Sequence, residues 1–146
     1  MPRPEHEREA VEWYLFAMRD LKDAHTLADS DRSNPNAVWH AQQAAEKAIK
    51  SLLVLGQIPF KWTHDLEALR AALPDDYRLK TIPNDLSPLS QRGMESRCPG
   101  DYDLLEEVDV RQALSLAGEV IDLLKEEFDP QVLAGVDPAT GEPYAD

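Results

Sequence analysis

The sequence predicts an all-α fold, an antiparallel up-and-down bundle of four to five helices. Apolar residues recur at three- and four-residue steps in three long stretches, near residues 7–28, 36–55 and 109–128. No stretch alternates convincingly with the two-residue period of a half-buried strand. Because the connections between the stretches are mostly short, neighbouring helices are expected to run antiparallel.

The first two helices have clear boundaries. The first, near 7–28, is followed by a turn in which Asn34 can cap the next helix and Pro35 takes a first-turn position. The second helix, near 36–55, ends at Gly56, the usual left-handed stop. Its apolar stripe begins with alanines and ends with leucines, so another helix can come very close to its N-terminal half.

The remaining helices are shorter or less regular, except the last. Thr63 is expected to cap a third helix at 64–73, and Ser87-Pro88 can open a fourth at 88–96. The final helix, 109–128, starts at a capping-box variant made by Asp109 and Gln112. We expect one domain at 1–128 and an acidic, flexible C-terminal tail at 129–146.

The helical spacing also predicts which apolar residues are buried and which are exposed. The expected core includes Trp13, Phe16, Ala45, Ile49, Leu52, Leu66, Leu114, Ile121 and Leu124. An apolar edge is expected to remain at Tyr14, Val38, Leu55, Ile58, Phe60 and Trp62. Because exposed apolar patches commonly mark partner surfaces, we expect a two-fold homodimer.

Composition limits the class of protein. The single cysteine, Cys98, excludes an intramolecular disulfide and favours a reducing compartment. No apolar run approaches the ~18 residues of a membrane span. The N-terminal residues are too charged for a signal peptide, so we expect a cytoplasmic protein with no membrane association.

The formal charge of −13 is unevenly distributed. Residues 101–146 carry 13 acidic and 2 basic side chains, whereas residues 32–100 carry 7 acidic and 9 basic ones. Such an acidic chain repels a bulk polyanion, which argues against a free-standing DNA-binding module. A local cationic pocket in the middle segment can still hold one nucleotide or a short single strand.

Five segments in order resemble a known family. They are Met18-Arg-Asp-Leu21 followed by Ala24, His40-Ala-Gln-Gln-Ala-Ala-Glu-Lys-Ala-Ile-Lys-Ser-Leu-Leu53, Trp62-Thr-His-Asp-Leu66, Glu95-Ser-Arg-Cys-Pro-Gly100 and Ala117-Gly-Glu-Val-Ile121. Together they resemble the HEPN (higher eukaryotes and prokaryotes nucleotide-binding) family. The resemblance implies a helical bundle that usually dimerises. Its members act as ribonucleases, as RNA- or nucleotide-binding modules, or as partners of small nucleotidyltransferases in toxin–antitoxin pairs.

The ribonuclease motif of that family, an Arg followed four to six residues later by His near the later helices, is missing from its expected place. All four histidines precede residue 65. Arg19 and His25 have the right spacing, but on a helix they point about 120° apart. Where the family commonly has Arg-Tyr-Pro, this chain has Arg97-Cys98-Pro99, which loses an aromatic ring. We therefore expect no catalytic residues.

Several polar side chains are candidates for holding phosphate. A ridge on the second helix carries lysines that can neutralise phosphate and His and Gln donors, but it is also compatible with a solvated flank containing a Glu46–Lys50 ion pair. His64 is either beside an anion-attracting helix N-terminus or a buried residue tying the connector to the bundle. Arg97 is equally compatible with a phosphate clamp and an ion pair to the last helix. The candidate nucleotide-binding residues are His40, Gln43, Lys47, Lys50, His64, Arg92 and Arg97.

These observations predict a non-catalytic module that binds a nucleotide or short RNA, or a partner protein. The resemblance implies a nucleotidyltransferase as that partner, in a toxin–antitoxin-like pair. Two alternatives remain open, a ribonuclease with a non-standard active site and a purely structural dimerisation module. No cofactor is expected, and no set of residues has metal-ligand spacing.

Overall fold

The computed structural model of the protein describes residues 4–95, 105–129 and 133–134. It contains α1 (Glu5–Ser30), α2 (Pro35–Leu55), α3 (Leu66–Ala71), α4 (Arg78–Thr81), α5 (Ser87–Glu95) and α6 (Glu107–Glu127). Since the described residues form no strand, the predicted all-α fold is confirmed. No helix within these ranges is long and apolar enough to cross a membrane.

Helix α2 lies at the centre and packs against α1, α3, α5 and α6. It runs antiparallel to α1, because the Ser51 hydroxyl donates to the Ala10 carbonyl (2.6 Å) while Lys47 reaches Asp20. Alanines at seven-residue intervals on α1, namely Ala10, Ala17 and Ala24, are completely buried. The alanines of α2 are buried as well, so the two backbones approach closely as the stripe predicted.

Most of the predicted core is confirmed, but the buried face of α1 is rotated. Phe16 is 48% exposed and Trp13 is half-buried, whereas Tyr14 and Val38, expected at the exposed edge, are buried. The contact between alanines leaves no room for a phenylalanine between α1 and α2. In addition, Asp20 turns inward to meet α2, which fixes the helix in this rotation.

The structure confirms the cap of α2 and its end at Leu55, and it corrects the conformation expected at Gly56. The Asn34 side chain accepts from the Asn36 N–H (2.9 Å), with Pro35 at the first helical position. Gly56 has a right-handed φ of −81°, so the expected left-handed stop is wrong at that residue. The next residue, Gln57, has the left-handed conformation with φ of 55°.

Helices α3, α4 and α6 also differ from the predictions. Helix α3 starts at Leu66, not at residue 64, because the Asp65 carboxylate caps it by accepting from two backbone N–H groups. Helix α4 lies between the third helix predicted at 64–73 and the fourth predicted at 88–96, as an additional short helix. Helix α6 begins at Glu107, and its capping box joins Glu106 and Asp109 in place of Asp109 and Gln112.

Candidate functional site

The polar ridge of α2 forms a surface together with its neighbours in space. Phe16 and Asp20 of α1 flank it on one side, and the connector between α2 and α3 (residues 56–65) flanks it on the other. We call this surface, made of Phe16, Asp20, His40, Gln43, Glu46, Lys47, Lys50, Trp62 and His64, the α2 face. Two buried carboxylates organise it.

The first carboxylate is Asp20, which is buried between α1 and α2. Its Oδ1 lies 2.9 Å from His40 Nδ1, and its Oδ2 lies 2.5 Å from Lys47 Nζ. Each oxygen therefore has one donor from α2. The pairing holds the partly exposed His40 and Lys47 side chains in fixed positions at the surface.

The second carboxylate is Glu46, whose side chain is only 5% exposed. It accepts from Gln42 Nε2 (3.1 Å), Lys50 Nζ (3.0 Å) and His64 Nδ1 (2.7 Å). These bonds satisfy the buried charge and hold the connector against α2. The Glu46–Lys50 ion pair considered from the sequence is present, but it is buried where a solvated flank was envisaged.

Two glutamines link this cluster to α5. Gln43 donates to the Gln42 side-chain oxygen (2.8 Å), and Gln42 also approaches the His64 carbonyl (3.4 Å). Gly93 of α5 packs directly on Gln42, since a Cβ added to this glycine would lie 2.6 Å from the Gln42 side chain. A glycine at this position therefore lets α5 approach the polar ridge.

Aromatic rings lie next to the cations of the α2 face. Trp62 is 78% exposed, and Lys50 Nζ lies 4.1 Å from its ring centroid. The same ammonium lies 5.6 Å from the Trp13 ring. The Lys50 side chain is only 3% exposed, so these two rings, together with Glu46, replace the water that would otherwise stabilise its charge. Phe16 has Arg19 at 5.7 Å and Lys47 at 6.0 Å.

The structure brings together most of the predicted site. His40, Gln43, Lys47, Lys50 and His64 share the α2 face. Arg92 instead pairs with Asp109 of α6 (3.1 Å), and Arg97 lies outside the described residues. The His64 ring is 53% exposed, so it ties the connector to α2 without being buried.

Sequence reasoning missed the anchors of this site. Asp20 is not among the predicted candidate residues, because its partners lie 20 and 27 positions away in the sequence. Glu46 carried a detectable signal, since Gln42 and Lys50 are four residues on either side of it on one helix face. One interpretation of the sequence has His64 tying the connector to the bundle, but no sequence signal identifies Glu46 as its partner.

One group on this surface has the composition of a metal site. Ligand atoms of Asp20, Asp23 and His40 lie within 4.8 Å of one another. However, the ammonium of Lys47 already contacts the Asp20 carboxylate and supplies the compensating positive charge. We therefore assign no metal site here.

Comparisons with known proteins agree on the fold. The family model of the HEPN domain matches residues 10–127 of this chain. The solved structure of TT1696 from Thermus thermophilus is similar, with a TM-score of 0.69 and 26% sequence identity. That match covers 82% of this chain and 98% of the TT1696 chain. Among curated proteins, no match was found.

Proposed function

Because this chain belongs to the HEPN family, we propose that it is a non-catalytic module that binds a nucleotide or short RNA on its α2 face. The observation that carries the proposal is that this surface has two exposed aromatic rings, Phe16 and Trp62, each with a lysine ammonium beside it. Single-stranded nucleic acids bind to such surfaces through stacking of bases and neutralisation of phosphates. The chain has a net charge of −13, but the α2 face has two carboxylates and two lysines and therefore no net negative charge.

Each exposed group has a role that its position supports. Trp62 offers an open indole for stacking on a base. Lys47 offers the remaining N–H donors of its ammonium at the opposite side of the face, where a phosphate can be held, and the His40 ring lies beside it on the same Asp20 carboxylate. Lys50 is buried beneath Trp62, so its contribution is to position the indole rather than to touch phosphate.

The buried carboxylates limit the strength of binding. Asp20 already neutralises Lys47, so a phosphate must share that ammonium with a carboxylate. We therefore expect weak binding that decreases further as salt rises, because each phosphate contact is electrostatic and releases counterions.

The test is binding of a mononucleotide and a short single-stranded RNA at two salt concentrations. Trp62→Ala should weaken RNA binding by ~5- to 100-fold, the range expected for loss of one stacked base. Lys47→Glu should weaken binding and reduce its salt dependence. Lys125→Glu is the matched control, an exposed lysine on α6. Equal loss in Lys125→Glu, or unchanged binding in Trp62→Ala, contradicts this assignment of the surface.

Oligomeric state and partner belong to the same proposal. Of the predicted apolar edge, Trp62 is exposed and Leu55, Ile58 and Phe60 are half-buried, which supports a homodimer through the connector. Family membership supports a nucleotidyltransferase as the partner protein. Light scattering at high micromolar concentration tests the dimer, and a monomer there contradicts it.

A second candidate function is ribonuclease activity with a non-standard site. The favouring observation is the Glu46–His64 pair, because a buried carboxylate on Nδ1 leaves Nε2 as the free nitrogen of a half-exposed ring. The ring borders a cavity of about 520 Å³ between the connector and α5. Under our main proposal purified protein does not cleave single-stranded RNA. Cleavage that is lost in His64→Ala and retained in His25→Ala identifies the chain as a ribonuclease instead.

A further inference from the structure

A groove on the other side of the bundle has no role in nucleotide binding. Helices α1 and α6 are antiparallel, and at one end they meet through Tyr14 and Phe128, whose ring centroids are 6.2 Å apart. Towards the other end the helices separate, and a groove of about 710 Å³ opens between them. At its mouth Arg32 and Glu107, both exposed, approach to 3.7 Å. We call it the α1/α6 groove.

The groove is apolar at its floor and acidic along its walls. Ala28, Val110 and Leu114 form the floor. Four carboxylates line the walls, namely Asp29, Glu107, Glu119 and Asp122, against Arg32, Arg111 and His25. Among the described residues, the Asp29 and Asp122 side chains have no hydrogen-bond or ion-pair partner. Within this part of the chain, no side chain competes with an incoming cation for either carboxylate.

The α6 wall has the shape of a helix-binding surface. Its lining residues run from Glu107 to Asp122, a distance of ~22 Å along the helix axis. Gly118 lies in the middle of this wall, and a Cβ added there would meet no atom within 4 Å. The wall therefore has no side chain at its centre and open space beside it, which lets a third helix approach α1 and α6 there.

We propose that the α1/α6 groove binds a basic amphipathic helix of a partner protein. The apolar face of that helix covers the floor, and lysines or arginines at its margins pair with Asp29 and Asp122. Groove-bound helices are recognised in this way, through apolar anchors spaced three and four residues apart. The chain's own residues 135–146 carry three carboxylates and no lysine or arginine, so their charge is wrong for this site.

The experiment uses the intact protein and a synthetic 16-residue amphipathic peptide of leucine and lysine. Two control peptides accompany it, one with glutamate replacing lysine and one with the same residues in scrambled order. We expect the leucine–lysine peptide to bind, with chemical shift changes at groove residues such as Gly118 and Ser115. Neither control should bind comparably, because one has the wrong charge and the other has no apolar face.

Two blocking variants make the test specific to the groove. Gly118→Trp fills the open space, and Asp29→Lys/Asp122→Lys reverses the charge of the walls. Each variant should lower the affinity for the leucine–lysine peptide at least ~10-fold, or about 1.4 kcal/mol. Gly118→Ala should retain binding. Glu5→Lys/Glu9→Lys, which makes the same charge change at exposed positions outside the groove, should also retain most of it.

Every other result overturns the proposal. Peptide binding that survives Gly118→Trp places the peptide elsewhere. Equal binding of the scrambled peptide shows attraction to net charge alone, and absence of binding shows that the groove takes no such helix. Because the groove residues are separate from the α2 face, RNA binding in Gly118→Trp reports independently on the proposed function.

Discussion

The α2 face and the α1/α6 groove both contain carboxylates and cations, but they use them in opposite ways. On the α2 face, the buried Asp20 and Glu46 side chains are paired with lysines and histidines of the same chain. In the groove, the Asp29 and Asp122 side chains are left without such partners among the described residues. A buried charge needs a partner within the fold, whereas a solvated charge can pair with a group of opposite charge on another molecule.

This difference is the basis of our two proposals, which give one acidic chain two surfaces of opposite preference. Internal pairing removes the repulsion that carboxylates would exert on a nucleotide and leaves aromatic rings exposed. The groove keeps a net negative charge, and under our proposal this charge favours a basic partner. Substitutions confined to one of these surfaces can therefore separate the role of paired charges on the α2 face from that of unpaired charges in the α1/α6 groove.

The largest effect is expected for Glu46→Ala. This change leaves the Lys50 ammonium buried without its carboxylate and removes the bond that holds His64. We expect a loss of ~3–5 kcal/mol in the free energy of unfolding, measured by urea denaturation.

The matched double variant is Glu46→Leu/Lys50→Met, which replaces the ion pair by apolar groups. It should recover most of the lost stability, because removal of both charges avoids an unpaired ion. If Glu46→Ala is as stable as the wild type, the paired carboxylate is not what fixes this region.

The two glycines provide the second comparison. Gly93→Ala should cost ~1–3 kcal/mol, because the new methyl group collides with Gln42 and pushes α5 away from the α2 face. Gly118→Ala should stabilise the protein by ~0.5–1 kcal/mol, since open space surrounds it and alanine favours a helix. Thermal or urea unfolding of both variants side by side checks the prediction, and equal effects would contradict it.

A smaller effect is expected for Asp122→Asn at neutral pH. The side chain is exposed and has no ion-pair partner among the described residues, so stability should stay within ~0.5 kcal/mol of wild type. Urea unfolding at pH 7 measures this. A loss comparable to that of Glu46→Ala would show that the groove carboxylates are structural.

The smallest effect concerns Tyr14 at the closed end of the groove. Burial, and then the charge of Asp122, raises the pKa of Tyr14 above its ordinary value of 10.0. The folded protein thus keeps a proton that the unfolded chain releases, so this contribution is fully present below pH 10 and is lost as pH rises through the folded pKa. Urea unfolding between neutral and strongly alkaline pH should show a decline that Tyr14→Phe reduces.

Tyr77 titrates in the same direction, because burial raises its pKa as well, so part of the decline should persist in Tyr14→Phe. Asp122→Asn should reduce the decline less than Tyr14→Phe, because burial is the larger cause of the raised Tyr14 pKa. An identical alkaline decline in Tyr14→Phe and wild type contradicts the prediction.

The sequence predicted what depends on local pattern. The periodicity of α2 located Ile49 and Leu52 in the core, and the Asn34-Pro35 pair located the start of that helix. Local pattern could not predict the rotation of α1, because this rotation depends on how closely the alanines of α1 and α2 approach each other. It also could not predict the Asp20 and His64 contacts, which join residues distant in the chain through burial rather than through spacing.

The enclosure of Lys50 also controls its chemical reactivity. An amine-reactive ester can reach exposed lysines such as Lys22, Lys61 and Lys125 directly. The Lys50 amine, covered by Trp62 and paired with Glu46, reacts only when the connector lifts from α2. Its acylation rate in the intact protein therefore measures how often the connector opens locally. A ligand stacked on Trp62 should hold the connector against α2 and lower the acylation rate of Lys50. One mass-spectrometric measurement of that rate therefore reports on both local opening and ligand occupancy.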